Sequence, residues 1–89
     1  MEFEFDPQKS EANKTKHGID FVAAQELWYD VFGVDVDAGY VLEPRRVLIG
    51  RIEGVFWTAI YVRRGERIRI ISVRRARVQE RRCYAENQR

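Results

Sequence analysis

Apolar and acidic side chains alternate through Met1-Glu2-Phe3-Glu4-Phe5, the two-residue period of a strand with one face against a core. Asp6-Pro7 ends that run and starts a helix. An aspartate accepts the free amide hydrogens of a first turn, and proline at the first helical position gives up no needed donor. The helix is expected from Pro7 to about His17, closed by Gly18 in the left-handed conformation. Asp20 caps a second helix in which Phe21, Ala24, Leu27 and Trp28 share a face and Ile19 staples back onto Ala24, making it the main core helix. After Val31 the period becomes extended, with Val34, Val36 and Ala38 alternating against Asp35 and Asp37 up to a Gly39-Tyr40 turn. The runs Arg46–Ile52, Val55–Arg63 and Arg67–Val73 follow, split by Glu53-Gly54 and Arg64-Gly65-Glu66, spacings that suit tight antiparallel hairpins. The chain closes in a helix over Arg75–Asn87 with Ala76, Glu80, Cys83 and Tyr84 on one face. The order β-α-α-β-β-β-β-α predicts an α+β fold: a single twisted, mostly antiparallel sheet with two N-terminal helices and a C-terminal helix packed on it.

A chain of 89 residues feeds one core, so a single domain over residues 1–89 is expected. At 45% hydrophobic the composition is that of a folded protein rather than a disordered one. Charge changes the picture more. Three Lys against ten Asp and Glu leave residues 1–43 at −7, whereas thirteen Arg against four Glu put residues 44–89 at +9. Such a dipole attracts a polyanion to one surface, and guanidinium groups favour forked contacts with phosphate. The lone Cys83 excludes an internal disulfide, and with one His it cannot assemble a Cys/His metal site, so metal-free chemistry without a cofactor is expected. No charged n-region with a long apolar run opens the chain, and the expected compartment is the cytoplasm, away from membranes.

The last predicted strand carries the most chemistry. Strict alternation sends Ile68, Ile70, Ser72 and Arg74 to one face and Arg67, Arg69, Ile71 and Val73 to the other. Arginines set among isoleucines are snorkelling, paired or functional, because burying one alone is very costly. Arg67 is balanced between a solvated ion pair and a phosphate contact, while the cluster Arg69, Arg74 and Arg75 points to phosphate. On the first helix Lys9, Asn13 and Lys16 form one polar stripe, which is also what a plain solvated face looks like. His17 follows, either capping the helix end or moving a proton, since it alone titrates near neutrality unaided. Cys83 reads as a small hydrophobe, Ser72 has no evident triad, the aromatic residues are first of all core, and the glycines form no phosphate loop.

Phe5-Asp6-Pro7, Lys9, Asn13, Lys16-His17-Gly18 and Phe21, followed by Arg46, Gly50, Arg69-Ile70-Ile71-Ser72, Arg74-Arg75-Ala76, Glu80-Arg81 and Tyr84, together resemble the BrnT family of type II toxin–antitoxin systems. The resemblance spans nearly the whole chain. Val73 stands where the family usually has alanine, Arg77 where threonine is common, and the Tyr40–Pro44 connection is shorter than in many relatives. The resemblance implies a RelE-like fold and a ribonuclease that cuts cellular RNA and stops translation. It also implies a small ribbon-helix-helix antitoxin, BrnA, that masks the toxin and binds operator DNA, the toxin reaching DNA only through that complex. Alone, the toxin is expected to be a monomer.

Metal-free RNA cleavage uses the substrate's 2′-hydroxyl as nucleophile and needs proton transfer and charge stabilisation at phosphorus. For these roles Arg46, Arg69 and Arg74 are expected to cradle the phosphate, His17 or Lys16 to move protons, and Glu80 to act as reserve base. Lys9, Asn13, Arg67, Arg75 and Arg81 are expected to bind RNA around them. The guanidinium groups of the sheet and the final helix are expected to converge on one phosphate-sized hollow faced by the Lys16-His17 corner. The rival reading is a non-catalytic basic module that binds a partner protein or nucleic acid in transcriptional control.

Overall fold

The computed structural model describes residues 1–39 and 44–87 and starts with a short strand, β1 (Glu2–Glu4), that turns at Asp6 into helix α1 (Pro7–His17). The Asp6 carboxylate accepts the Gln8 amide at 2.9 Å, and Gly18, at φ 87°, donates its amide to the Lys14 carbonyl, so both ends close as the residue types dictate. Strand β2 (Val34–Asp37) comes next, then β3 (Arg45–Ile52), β4 (Val55–Arg64), β5 (Arg67–Arg75) and helix α2 (Val78–Asn87). Residues 40 to 43, which hold Tyr40 of the expected Gly39-Tyr40 turn and most of the connection to Pro44, lie outside the described residues. The architecture is α+β, with a mixed five-stranded sheet in the order β1-β5-β4-β3-β2. β1 runs parallel to β5, and the remaining neighbours are antiparallel.

The second expected helix is a 3-10 helix over Ala23–Tyr29, entered through Asp20, whose carboxylate accepts the Ala23 amide at 2.8 Å. A three-residue turn stacks positions i, i+3 and i+6 in one line. Phe21, Ala24 and Leu27 have that spacing, and each is at most 1% exposed. The tighter helix therefore keeps Ala24 and Leu27 in line toward the sheet, continuing the direction of Phe21 in the turn before it. Leu27 comes so close to β3 that a Cβ on Gly50 would lie 3.0 Å from its Cδ2.

The core lies on the inner face of the sheet, between that helix and Leu48, Trp57, Ala59, Tyr61, Ile68, Ile70 and Val73. Trp28 contributes an aromatic stack, edge-on to both Phe3 and Tyr61 at 5.2 Å between centroids. Helix α1 buries no large apolar residue and docks by polar bonds instead. Ser10 Oγ accepts the Phe21 amide at 2.9 Å, and the Asn13 side chain binds the β5 backbone. The last helix begins three residues later than expected, because β5 runs on to Arg75 and the Ala76 amide still donates to the Phe56 carbonyl at 3.0 Å. It covers one end of the outer face, where Tyr84 stacks edge-on against Phe56.

Candidate functional site

Cross-strand partners share a face of a sheet. Along β4 and β5, Tyr61 pairs with Ile70 but Ile60 pairs with Ser72, so Ile71 is an extra residue and β5 carries a bulge. The bulge overturns strict alternation. Ile68, Ile70 and Val73, all at most 2% exposed, point to the inner face together, and Arg67, Arg69, Ser72 and Arg74 are left on the outer face. Each of the three arginines in that row meets a carboxylate. The parallel register sets Glu2 beside Arg67 and Glu4 beside Arg69, with N–O distances of 3.3 and 3.1 Å. Arg74 turns the other way along the strand, toward α2.

The Arg74 contact is the most organised on this face. Its two terminal nitrogens donate to the two oxygens of Glu80 at 2.7 and 2.9 Å. Glu80 Oε1 also accepts the buried Thr58 hydroxyl at 3.0 Å and the Arg77 amide at 2.7 Å. Arg74, as the nearest cation, draws the Glu80 carboxyl down to about 2, against a smaller upward pull from burial; the Arg77 amide and Thr58 add to the fall. Arg74 is in turn raised by the same carboxylate. A guanidinium has five N–H donors. Two point at Glu80 and a third reaches the Arg75 carbonyl at 3.3 Å, which leaves Nε and one Nη2 hydrogen of Arg74 for another acceptor.

Beside this pair, at the end of β5, a hollow of about 410 Å³ is lined by Gly54, Val55, Phe56, Arg75, Ala76 and Arg81. Arg75 lies over the Trp57 ring at 5.3 Å from its centroid, so the guanidinium is backed by an aromatic surface. Lys16 and His17 sit in the last turn of α1, Lys16 exposed and His17 half-buried. His17 is one helical turn beyond Asn13, whose side chain binds the Val73 backbone of β5. Arg74, Arg75 and Arg81 thus lie around the end of β5 and the start of α2.

Other expected members lie elsewhere. Arg46 pairs in register with Tyr61 on the inner face, two strands from β5, and its Nε donates to Asp35 Oδ1 at 2.9 Å. The buried Tyr61 hydroxyl donates to the other oxygen of Asp35; burial first, and then Asp35, push its pKa up. Arg46 is therefore separated from Arg69 and Arg74 by the sheet itself, and the single hollow expected to hold all three does not form. Asn13, expected on an exposed RNA-binding stripe, is 7% exposed. Its amide donates to the Ile19 and Val73 carbonyls at 2.7 and 2.9 Å and accepts the Val73 amide at 3.2 Å, so it caps the β5 edge just beyond the end of β1. Lys9 remains exposed on α1, away from these bonds.

Residues that sequence reasoning passed over hold the site in place. Thr58 and the Arg77 amide orient Glu80, and Asp30 ties three elements together. Asp30 accepts from the Phe32 amide at 3.0 Å, the Arg51 amide at 2.9 Å and the Tyr84 hydroxyl at 2.7 Å. Burial, together with Asp30, pushes the Tyr84 hydroxyl up to about 12. An aspartate preceding two apolar residues, Val31 and Phe32, was the available signal, because short polar side chains commonly bond the backbone two residues on. Among the described residues, no helix is long and apolar enough to cross a membrane.

A protein-family model described as "Ribonuclease toxin, BrnT, of type II toxin-antitoxin system" matches residues 5–80, which include both members of the Arg74–Glu80 pair. No curated protein matches the chain.

Proposed function

Because the chain belongs to the BrnT family of ribonuclease toxins of type II toxin–antitoxin systems, with RNA as substrate and an antitoxin protein as partner, we propose that it is a metal-independent endoribonuclease. On this reading one RelE-like domain over residues 1–89 cuts cellular RNA in the cytoplasm and halts translation. A ribbon-helix-helix antitoxin of the BrnA kind silences it and carries the pair to operator DNA. The family match over residues 5–80 carries the proposal, and the fixed Arg74 guanidinium supports the location of the site.

The chemistry follows from what these side chains can do. The substrate's 2′-oxygen attacks the adjacent phosphorus, its proton is taken up, negative charge builds on the phosphoryl oxygens, and the 5′-oxygen leaves with a proton. The products are a 2′,3′-cyclic phosphate and a 5′-hydroxyl. Donors held in place before the reaction stabilise that charge without reorganising. Arg74 meets the requirement, since Glu80 fixes its plane and two of its donors remain. His17 or Lys16 handles the protons. Glu80, with its carboxyl held at about 2, is too weak a base for neutral pH and acts by positioning Arg74. Arg75 and Arg81 bind the flanking phosphates in their shared hollow. Arg46 supports the fold from the inner face.

Purified protein is tested on a long RNA in the presence of EDTA. The parent is expected to cut it; Arg74→Ala loses about 10²–10³ in rate and His17→Ala about 10²–10⁴. If both variants cut as fast as the parent, this site is wrong. A second reading has one observation in its favour: Arg67, Arg69 and Arg74 all sit against carboxylates, as in a structural ion-pair network. Under that reading the protein is a non-catalytic binding module working in transcriptional control, and the parent leaves RNA intact while still binding its antitoxin.

A further inference from the structure

On the opposite side of the β3–β4 hairpin from the Arg75 hollow, the turn between the 3-10 helix and β2 pushes apolar side chains into solvent. Tyr29 is 68%, Val31 87% and Phe32 46% exposed. This is no loose loop. The three acceptor bonds of Asp30 hold it from within, from β3 and from α2, and Asn87 Nδ2 adds a bond to the Phe32 carbonyl at 3.1 Å. At Gly33 any Cβ would press within 3.1 Å of the Asp30 carbonyl, so the turn is also tight. Apolar groups fixed in water in advance lose little freedom on binding, which is the condition for an interaction hot spot.

The turn forms one wall of an open hollow of about 710 Å³, whose rim carries Glu26, Asp30 and Glu53 against a single Arg51. That charge decides between occupants. RNA would bring its phosphates against three carboxylates. A second copy of this chain would bring the same patch against it across a two-fold axis, two surfaces that each carry three carboxylates against one arginine. A protein segment with apolar anchors flanked by Lys or Arg meets neither obstacle. We propose that this hollow is the docking site for the antitoxin, which seats apolar side chains against Tyr29, Val31 and Phe32 and a basic residue against Glu26 and Glu53. Gly54 lines this hollow and also the one that holds Arg75 and Arg81, so a segment anchored here reaches the RNA-binding end by crossing the hairpin tip. Anchoring and masking are then done by adjacent parts of one partner. The proposal rests on the chain being the toxin of a pair and does not require the cleavage chemistry to be as drawn above.

The test measures binding of the antitoxin encoded beside it to the parent, Val31→Glu and Glu53→Lys, with RNA cleavage by each free protein measured in parallel. Both side chains are exposed, so unchanged melting curves are expected to show that the fold is kept. Val31→Glu is expected to weaken Kd by about tenfold or more, as loss of an anchor does. Glu53→Lys is expected to weaken it by about threefold to tenfold at low salt and less at high salt. Cleavage by the free variants should match the parent. Affinities for the antitoxin unchanged in both variants would overturn the proposal. So would loss of RNA binding, which makes the patch an RNA surface, or loss of a parental dimer with antitoxin binding retained, which makes it a self-contact. If the parent cuts no RNA but Val31→Glu still loses the antitoxin, the ribonuclease reading fails and the docking site stands.

Discussion

Glu80 owes its low proton affinity to Arg74, and stability inherits that dependence. A carboxyl held near 2 in the folded state and near its ordinary 4.5 in the unfolded chain contributes stability that is fully present above the unfolded value and disappears as pH falls through the folded one. Denaturant titrations of the parent and Glu80→Gln are expected to differ at neutral pH by about 1–2 kcal/mol, once solvent screening of a partly exposed pair is allowed for. The gap should close as pH drops from about 4.5 towards 2. A constant gap over that window would mean that the ion pair contributes nothing. Arg46 differs because its partners, Asp35 and the buried Tyr61, lie on the inner face. Arg46→Ala is expected to lower the melting temperature while leaving RNA cleavage at the parental rate. A large loss of cleavage in a folded Arg46→Ala protein would return Arg46 to the active site. Among single residues, the sequence singled out Arg74, which the structure holds in a two-pronged bond to Glu80. It did not show that Asn13 is buried, because a polar side chain bonded to backbone and one bonded to water have the same spacing along a helix.

At the scale of elements, local rules worked wherever local forces dominate. The Asp6-Pro7 start and Gly18 end of α1 follow the expected capping chemistry. Glu53 and Gly54 both have positive φ, 49° and 81°, as a tight hairpin turn requires. They failed where another element intervenes. The 3-10 helix sets Ala24 and Leu27 against the sheet in line with Phe21 of the turn before it, and its fit with β3 is close. Gly50→Ala is expected to destabilise the protein by about 1–3 kcal/mol through overpacking against Leu27, read from the shift in denaturation midpoint. A neutral result would mean that Leu27 can move aside. The edge of β5 is completed by a side chain rather than a strand, so Asn13→Ala should cost about 1–3 kcal/mol. It should also speed hydrogen exchange at the Val73 amide selectively; an amide as well protected as in the parent would show that Asn13 is dispensable there.

Over the whole molecule, the acidic front half and arginine-rich back half do not remain apart. Glu2 and Glu4 lie on Arg67 and Arg69, Asp35 lies on Arg46, and much of the dipole read from the chain is neutralised by contact. On the proposed reading, RNA meets the cationic end where Arg75 and Arg81 share a hollow beside Arg74. If about three or four phosphates are bound there, the logarithm of RNA affinity should fall with the logarithm of salt concentration at a slope of roughly −2 to −3. A slope near zero would remove RNA phosphates from this end of the molecule. The hollow lined by Arg75 and Arg81 and the acidic, apolar hollow beside Tyr29, Val31 and Phe32 meet at Gly54 of the β3–β4 turn, so the two proposed surfaces are neighbours rather than one.

What the chain determines alone is whatever depends on neighbours in sequence: the order of strands and helices, their caps and turns, the family resemblance, and the concentration of guanidinium groups after Pro44. What tertiary structure decides is which of those groups share a face. A regular hairpin continued from the Arg64–Arg67 pair would set Arg74 opposite Trp57 on the inner face. One additional residue at Ile71 sets it opposite Thr58, beside Glu80. A bulge is chosen by how side chains fill the space between layers, and that space exists only once the sheet, the 3-10 helix and α2 have come together.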